Sequence, residues 1–119
     1  MSHKKSVLIV EDDKNIRETL RDALEMEGYI VVTAINGLDG LEKLKKIPKP
    51  SLVLLDMMMP VMDGREFLDA VLADHSLAPI PVIIVSADID ESKKLGAKAY
   101  IKKPADLDLL LKWVEMYSV

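Results

Sequence analysis

No cysteine occurs in the 119 residues, which removes disulfides, thiolate metal sites and a cysteine nucleophile together and fits a reducing compartment. A basic stripe is missing as well. The formal net charge is −4, and a sequence-independent grip on nucleic acid needs the opposite balance, so no direct nucleic-acid binding is expected. Nor is there a long apolar run. The N-terminus MSHKKSVLIVEDD starts basic, but its apolar stretch extends only from Val7 to Val10 before acid intervenes, so it reads as neither signal peptide nor membrane span. A cytoplasmic location is expected. Repeats, linkers and low-complexity tracts are absent too, and the length suits one domain with one real core.

What is present is a globular balance, with 50% hydrophobic and 30% charged residues, arranged in alternation. Short aliphatic runs cover Val7–Val10, Tyr29–Ala34, Leu52–Leu55, Pro81–Val85 and Ala99–Ile101. Between them lie segments of helical period, with faces at Ile16, Leu20, Ala23 and Leu24, at Leu38, Leu41, Leu44 and Ile47, at Phe67, Leu68, Val71 and Leu72, and at Leu107, Leu110, Leu111 and Val114. Gly28 reads as a helix stop. Strands alternating with helices predict an α/β fold with a five-stranded parallel sheet. The segment Asp88–Leu95 has room for at most about two turns of helix.

Ligands of such sheets bind beyond the carboxyl ends of the strands. The first run ends in Glu11-Asp12-Asp13, the third in Asp56, the fourth in Ser86 and the fifth in Lys102-Lys103-Pro104, whereas Asn36-Gly37 after the second is an ordinary turn. Clustered carboxylates repel one another unless a hard divalent cation neutralises them, and Mg²⁺ suits oxygen ligands. Beside such a cation a carboxylate can act as a nucleophile toward phosphorus. Asp56, alone at the end of a buried strand, is the best candidate, and the Glu11-Asp12 pair suits metal binding. Taken singly, some of these residues have plainer readings: Asp13 as a helix N-cap, Asp63 before Gly64 as a turn or cap, Ser86 as a turn serine, Lys103 as a solvated lysine. His3 and His75 have no partner set for metal or acid–base work.

Four linked motifs, VLIVEDD, LVLLDMMMPVMDG, VIIVSA and AYIKKP, resemble the receiver domain of two-component response regulators over nearly the whole chain. The resemblance implies a doubly wound, flavodoxin-like three-layer sandwich with strand order 2-1-3-4-5 and five helices. One receiver domain over residues 1–119, with no output domain, is expected. By resemblance, Asp56 accepts a phosphoryl group from a histidine kinase or phosphotransfer protein. Asp12 and Asp56 contact Mg²⁺ directly, Glu11 acts through water, and Met58 adds its backbone carbonyl. Ser86 hydrogen-bonds the phosphate, Lys103 pairs with it, Tyr100 is the rotating aromatic, and the Lys103-Pro104 bond is cis. The implied function is a phosphorylation-operated signalling switch, not a turnover enzyme.

Three departures from the family pattern stand out. Glu11 replaces the commoner aspartate, Met58 and Asp88 flank the site where members differ, and the stretch from Ser86 to Gly96 is several residues short, which predicts a shortened fourth helix. On the final helix, Leu109, Trp113 and Met116 form a second apolar face. That face, with the fifth strand and the shortened helix, is a candidate surface for an effector or a second copy; alternatively Trp113 fills the space left by the missing residues. Two other functions fit less well. A small Mg²⁺-dependent phosphatase would want an acid–base aspartate where Met58 stands, and a phosphate-independent interaction module would not need every polar group.

Overall fold

The computed structural model describes residues 5–87 and 96–119. The chain runs β1 (Ser6–Val10), α1 (Lys14–Met26), β2 (Ile30–Ala34), α2 (Gly37–Lys46), β3 (Leu52–Asp56), α3 (Gly64–Ala73), β4 (Val82–Ser86), β5 (Ala99–Lys102) and α4 (Leu107–Tyr117). All strand pairs are parallel, in the order β2-β1-β3-β4-β5. The expected short helix over Asp88–Leu95, and Asp88 itself, lie outside the described residues.

Side chains alternate across the sheet, so each strand feeds two cores. Leu8, Val10, Val53, Leu55 and Ile84 pack on one face with Leu44 of α2 and Phe67, Leu68 and Val71 of α3. Ile9, Leu54, Ile83 and Ile101 pack on the other with Leu20 and Leu24 of α1 and Leu110 and Val114 of α4. Each such buried aliphatic or aromatic side chain contributes about 1.5–3 kcal/mol. The result is a three-layer sandwich with its polar loops at one edge.

The helices begin and end on local chemistry. Asp13 caps α1 by accepting from Ile16 N at 3.0 Å. Gly28, at φ +93°, ends it: its N–H goes to Glu25 O and that of Tyr29 to Leu24 O, a Schellman closure. That closure takes Tyr29 out of the second strand, which starts at Ile30. Asp63 and Glu66 form a reciprocal capping box on α3. Two residues assigned to core faces, Leu38 and Leu72, are exposed. α2 approaches closely through Gly40, where a Cβ would lie 2.8 Å from Phe67 Cε1 and 3.1 Å from Val10 Cγ2, so its contact face rotates away from Leu38.

Of the second apolar face expected on the last helix, the placement of Trp113 is corrected. Leu109 and Met116 are exposed, but Trp113 stands three residues after the buried Leu110 and borders the core stripe, half-buried against the α1/α4-side cluster. Any contact between Trp113 and residues 88–95 lies outside the described residues.

Candidate functional site

The strand register assembles the site. Val10 pairs with Leu55, so one step further Glu11 and Asp56 leave adjoining strands at the carboxyl edge. Both remain tied to the sheet: Glu11 N donates to Ala34 O at 3.0 Å, and Asp56 pairs with Val85 as the last residue of β3. Alternation continues beyond Ile9 and Leu54 to put both carboxylates on the α1/α4 side, and beyond Ala99 and Ile101 it puts Lys103 there as well. Lys103 N donates to Ser86 O at 2.9 Å, which holds the lysine level with the end of β4. Its Nζ then lies 3.0 Å from Glu11 Oε1 and 3.1 Å from Asp56 Oδ1. One ammonium bridges two carboxylates that are 2% and 4% exposed.

Burial dominates the electrostatics of Glu11, pushing its carboxyl up to about 7. Lys103 and the Asp13 N–H, which donates at 3.1 Å, pull it back, while the Asp56 charge pushes it up further. Burial alone would lower the Lys103 ammonium, but its hydrogen bonds to Glu11 and Asp56 and their charges outweigh that and hold it above the ordinary lysine value.

Asp12 completes an acidic cluster, with carboxylate oxygens of Glu11, Asp12 and Asp56 all within 4.8 Å of one another. Three hard oxygen donors, two of them on buried residues, fit a small divalent cation. Ser86 is buried at the end of β4, and Tyr100 is half-buried in β5. The alternation sends both to the α2/α3 side, opposite Lys103. Ser86 and Asp56 thus close their strands from within the ladder, not from the turns beyond it. Met58 N approaches Asp56 Oδ1 at a long 3.4 Å, and the residue is 77% exposed. The Lys103-Pro104 bond is cis.

Two contacts at this edge are not evident from motif spacing. Asn36-Gly37 is more than a turn: Asn36 caps α2, and Gly37 N donates to Met62 O at 2.9 Å, tying α2 to the loop after Asp56. A Cβ on Gly37 would sit 2.7 Å from that oxygen, so close approach demands glycine. Arg17 reaches back from α1 to the carbonyls of Glu11 and Asp12. A cation in a first helical turn, where the dipole disfavours it, was the only sequence signal. In the same loop Val61 has φ +69°, a left-handed conformation that a β-branched residue adopts only under strain. Val61→Asn is expected to raise stability by about 1 kcal/mol, since asparagine tolerates that region. Urea unfolding measures it, and an unchanged midpoint would refute the strain.

Comparison with known proteins decides the family. The model of the response regulator receiver domain matches residues 7–115. The chain belongs to that family. This receiver domain is 41% identical over 117 residues to sporulation initiation phosphotransferase F of Bacillus subtilis, covering 93% of the chain and 91% of the relative. It is 42% identical over 109 residues, 84% of the chain, to a protein-glutamate methylesterase/protein-glutamine glutaminase of Methanosarcina mazei, but spans only 29% of that protein. Among solved structures, the chemotaxis response regulator CheY4 of Vibrio cholerae superposes with a TM-score of 0.88 at 30% identity, covering 97% of this chain and 99% of that one. The receiver domain is therefore a phosphorelay signalling switch, of a family that works with histidine kinases or phosphotransfer proteins. None of its described helices is long and apolar enough to cross a membrane.

Proposed function

We propose that Asp56 is the phosphoacceptor of this receiver domain, and that Glu11, Asp12 and Asp56, with the Met58 carbonyl, hold the Mg²⁺ used in the transfer. The observation that carries this reading is the Lys103 ammonium shared between Glu11 and Asp56: a buried strand-end carboxylate is already oriented by a cation. In the reaction, an Asp56 oxygen forms a bond to phosphorus as the P–N bond to the donor histidine breaks, and the electron pair leaves with the imidazole. Bound Mg²⁺ supplies charge neutralisation among the acidic groups and the phosphoryl oxygens. Lys103 adds a positive charge within reach of the new phosphate, and Ser86 donates its hydroxyl to it. Tyr100, on the same side of the sheet as Ser86, changes position with it and biases a two-state surface.

The donor in this reading is a histidine kinase or phosphotransfer protein. A cleft of about 500 Å³ opens beside Lys103, lined by Ile16, Leu20, Val85, Pro104 and Leu107, and offers an apolar seat for a protein donor. Residues 1–119 act as one receiver unit in the cytoplasm and turn over no metabolite.

The test uses the chain with Mg²⁺ and acetyl phosphate, read by intact mass. One acid-labile phosphate that Asp56→Asn abolishes is the expected result. Rapid multiple turnover would instead indicate a phosphatase, and absence of label with every donor an interaction module.

A further inference from the structure

We infer that Arg17 is a positioning residue for the metal-binding acidic pair, an inference that rests on the proposed Mg²⁺ site. From the first turn of α1 its Nη1 donates to the backbone carbonyl of Glu11 at 2.9 Å and to that of Asp12 at 3.2 Å. Glu11 is thereby held on both sides, because its N–H donates to Ala34 O. Its carboxylate is held too, by Asp13 N and Lys103. Asp12 depends more on its main chain. Its side chain is exposed, so the direction in which its carboxylate leaves the chain follows from the peptide that Arg17 grips. Both bonds go to main-chain oxygens, and Arg17 acts on the ligands through the backbone.

The location argues against a merely electrostatic role. A guanidinium in the first turn opposes the helix dipole, and near a divalent-ion site it repels the ion. If only charge mattered, deleting Arg17 would tighten Mg²⁺ binding. Positioning predicts the opposite sign.

Binding of Mg²⁺ alone is measured by isothermal titration on the full chain, for wild type, Arg17→Met, Arg17→Lys and Arg21→Met. Arg17→Met is expected to weaken Mg²⁺ about tenfold, the scale seen when a group that orients a metal ligand is lost. Arg17→Lys keeps the charge on a shorter arm without the planar guanidinium, grips the two carbonyls less firmly and should recover part of that loss. Arg21→Met deletes a charge one turn further along, where the ion pairs, to Asp22 and Glu25, are long at 3.9 Å, and should match wild type. Labelling by acetyl phosphate supplies a second readout: for Arg17→Met the half-saturating Mg²⁺ concentration rises while the rate at saturation is kept. Equal or tighter Mg²⁺ binding by Arg17→Met overturns the inference. Should that variant be too unstable to titrate, Arg17→Lys decides: weaker binding supports positioning, unchanged binding overturns it. A wild-type chain that takes up no Mg²⁺ overturns the metal reading and the inference with it, which tells the two failures apart.

Discussion

Replacing Lys103 with methionine is expected to cost the metal-free protein about 3 kcal/mol near pH 8, the scale seen when one partner of a buried ion pair is removed. The reason is geometric. Lys103 Nζ is 3.0 Å from Glu11 Oε1 and 3.1 Å from Asp56 Oδ1, and methionine fills similar space without the charge. Two buried carboxylates would then face each other uncompensated. Urea unfolding in EDTA measures the cost.

The loss should depend on pH with a definite sign. In the folded protein burial raises Glu11 from 4.5 to about 7, so its contribution to stability is fully present below pH 4.5 and is lost as pH rises through about 7. Lys103 holds that rise back, so its removal lifts the Glu11 carboxyl further and extends the loss to higher pH, beyond the point where the wild-type loss is complete. Lys103→Met should therefore cost far less near pH 5 than near pH 8 in EDTA. Adding Glu11→Gln should flatten the slope. Saturating Mg²⁺ should restore much of the stability, since a ligand at about a hundred times its Kd stabilises by about 2.7 kcal/mol. A cost equal at both pH values and indifferent to Mg²⁺ would mean lost packing, not uncompensated charge.

These groups were legible in the sequence for a physical reason. A charged residue that ends an aliphatic run must stand at a strand terminus, and in a parallel sheet such termini share one edge, so Glu11, Asp56, Ser86 and Lys103 could be brought together by order alone. The same logic gave the five strands, though not their ends: Tyr29 is taken by the Schellman closure, and Asp56 and Ser86 by one more ladder pair. Contacts made by main-chain atoms were not legible. Gly37 N to Met62 O, the grip of Arg17 on two carbonyls and the positive φ of Val61 depend on how loops lie against each other, which periodicity does not encode. Leu38 failed for a related reason, because the angle at which a helix meets the sheet is set by its closest residue, here Gly40 in α2. Trp113, a border position three residues after the buried Leu110, packs against the α1/α4-side cluster, not on the far face where it was expected.

Gly64→Ala is expected to be the most damaging single methyl in the chain. Gly64 opens α3, its N–H donates to Met57 O at 3.1 Å, and it is buried. A Cβ there would fall onto the Asp56 carbonyl oxygen, 2.7 Å from Met57 Cα and 2.9 Å from Met57 Sδ. The sulfur could swing aside. The two backbone atoms cannot, so the Asp56–Met57 peptide must move, and with it the proposed phosphoacceptor. Overpacking of this kind costs about 3 kcal/mol, at the upper end of its usual range. A shift of the reacting group by about 1 Å should also slow labelling by acetyl phosphate about a hundredfold, measured where the variant is still folded. Gly28→Ala separates space from backbone conformation. Gly28 has φ +93° with open space where a Cβ would go, so alanine there should cost about 1–2 kcal/mol and leave labelling untouched. Equal labelling by Gly64→Ala and Gly28→Ala would show that the loop absorbs the methyl without moving Asp56, and that the close packing of α3 against Asp56 is dispensable to the chemistry.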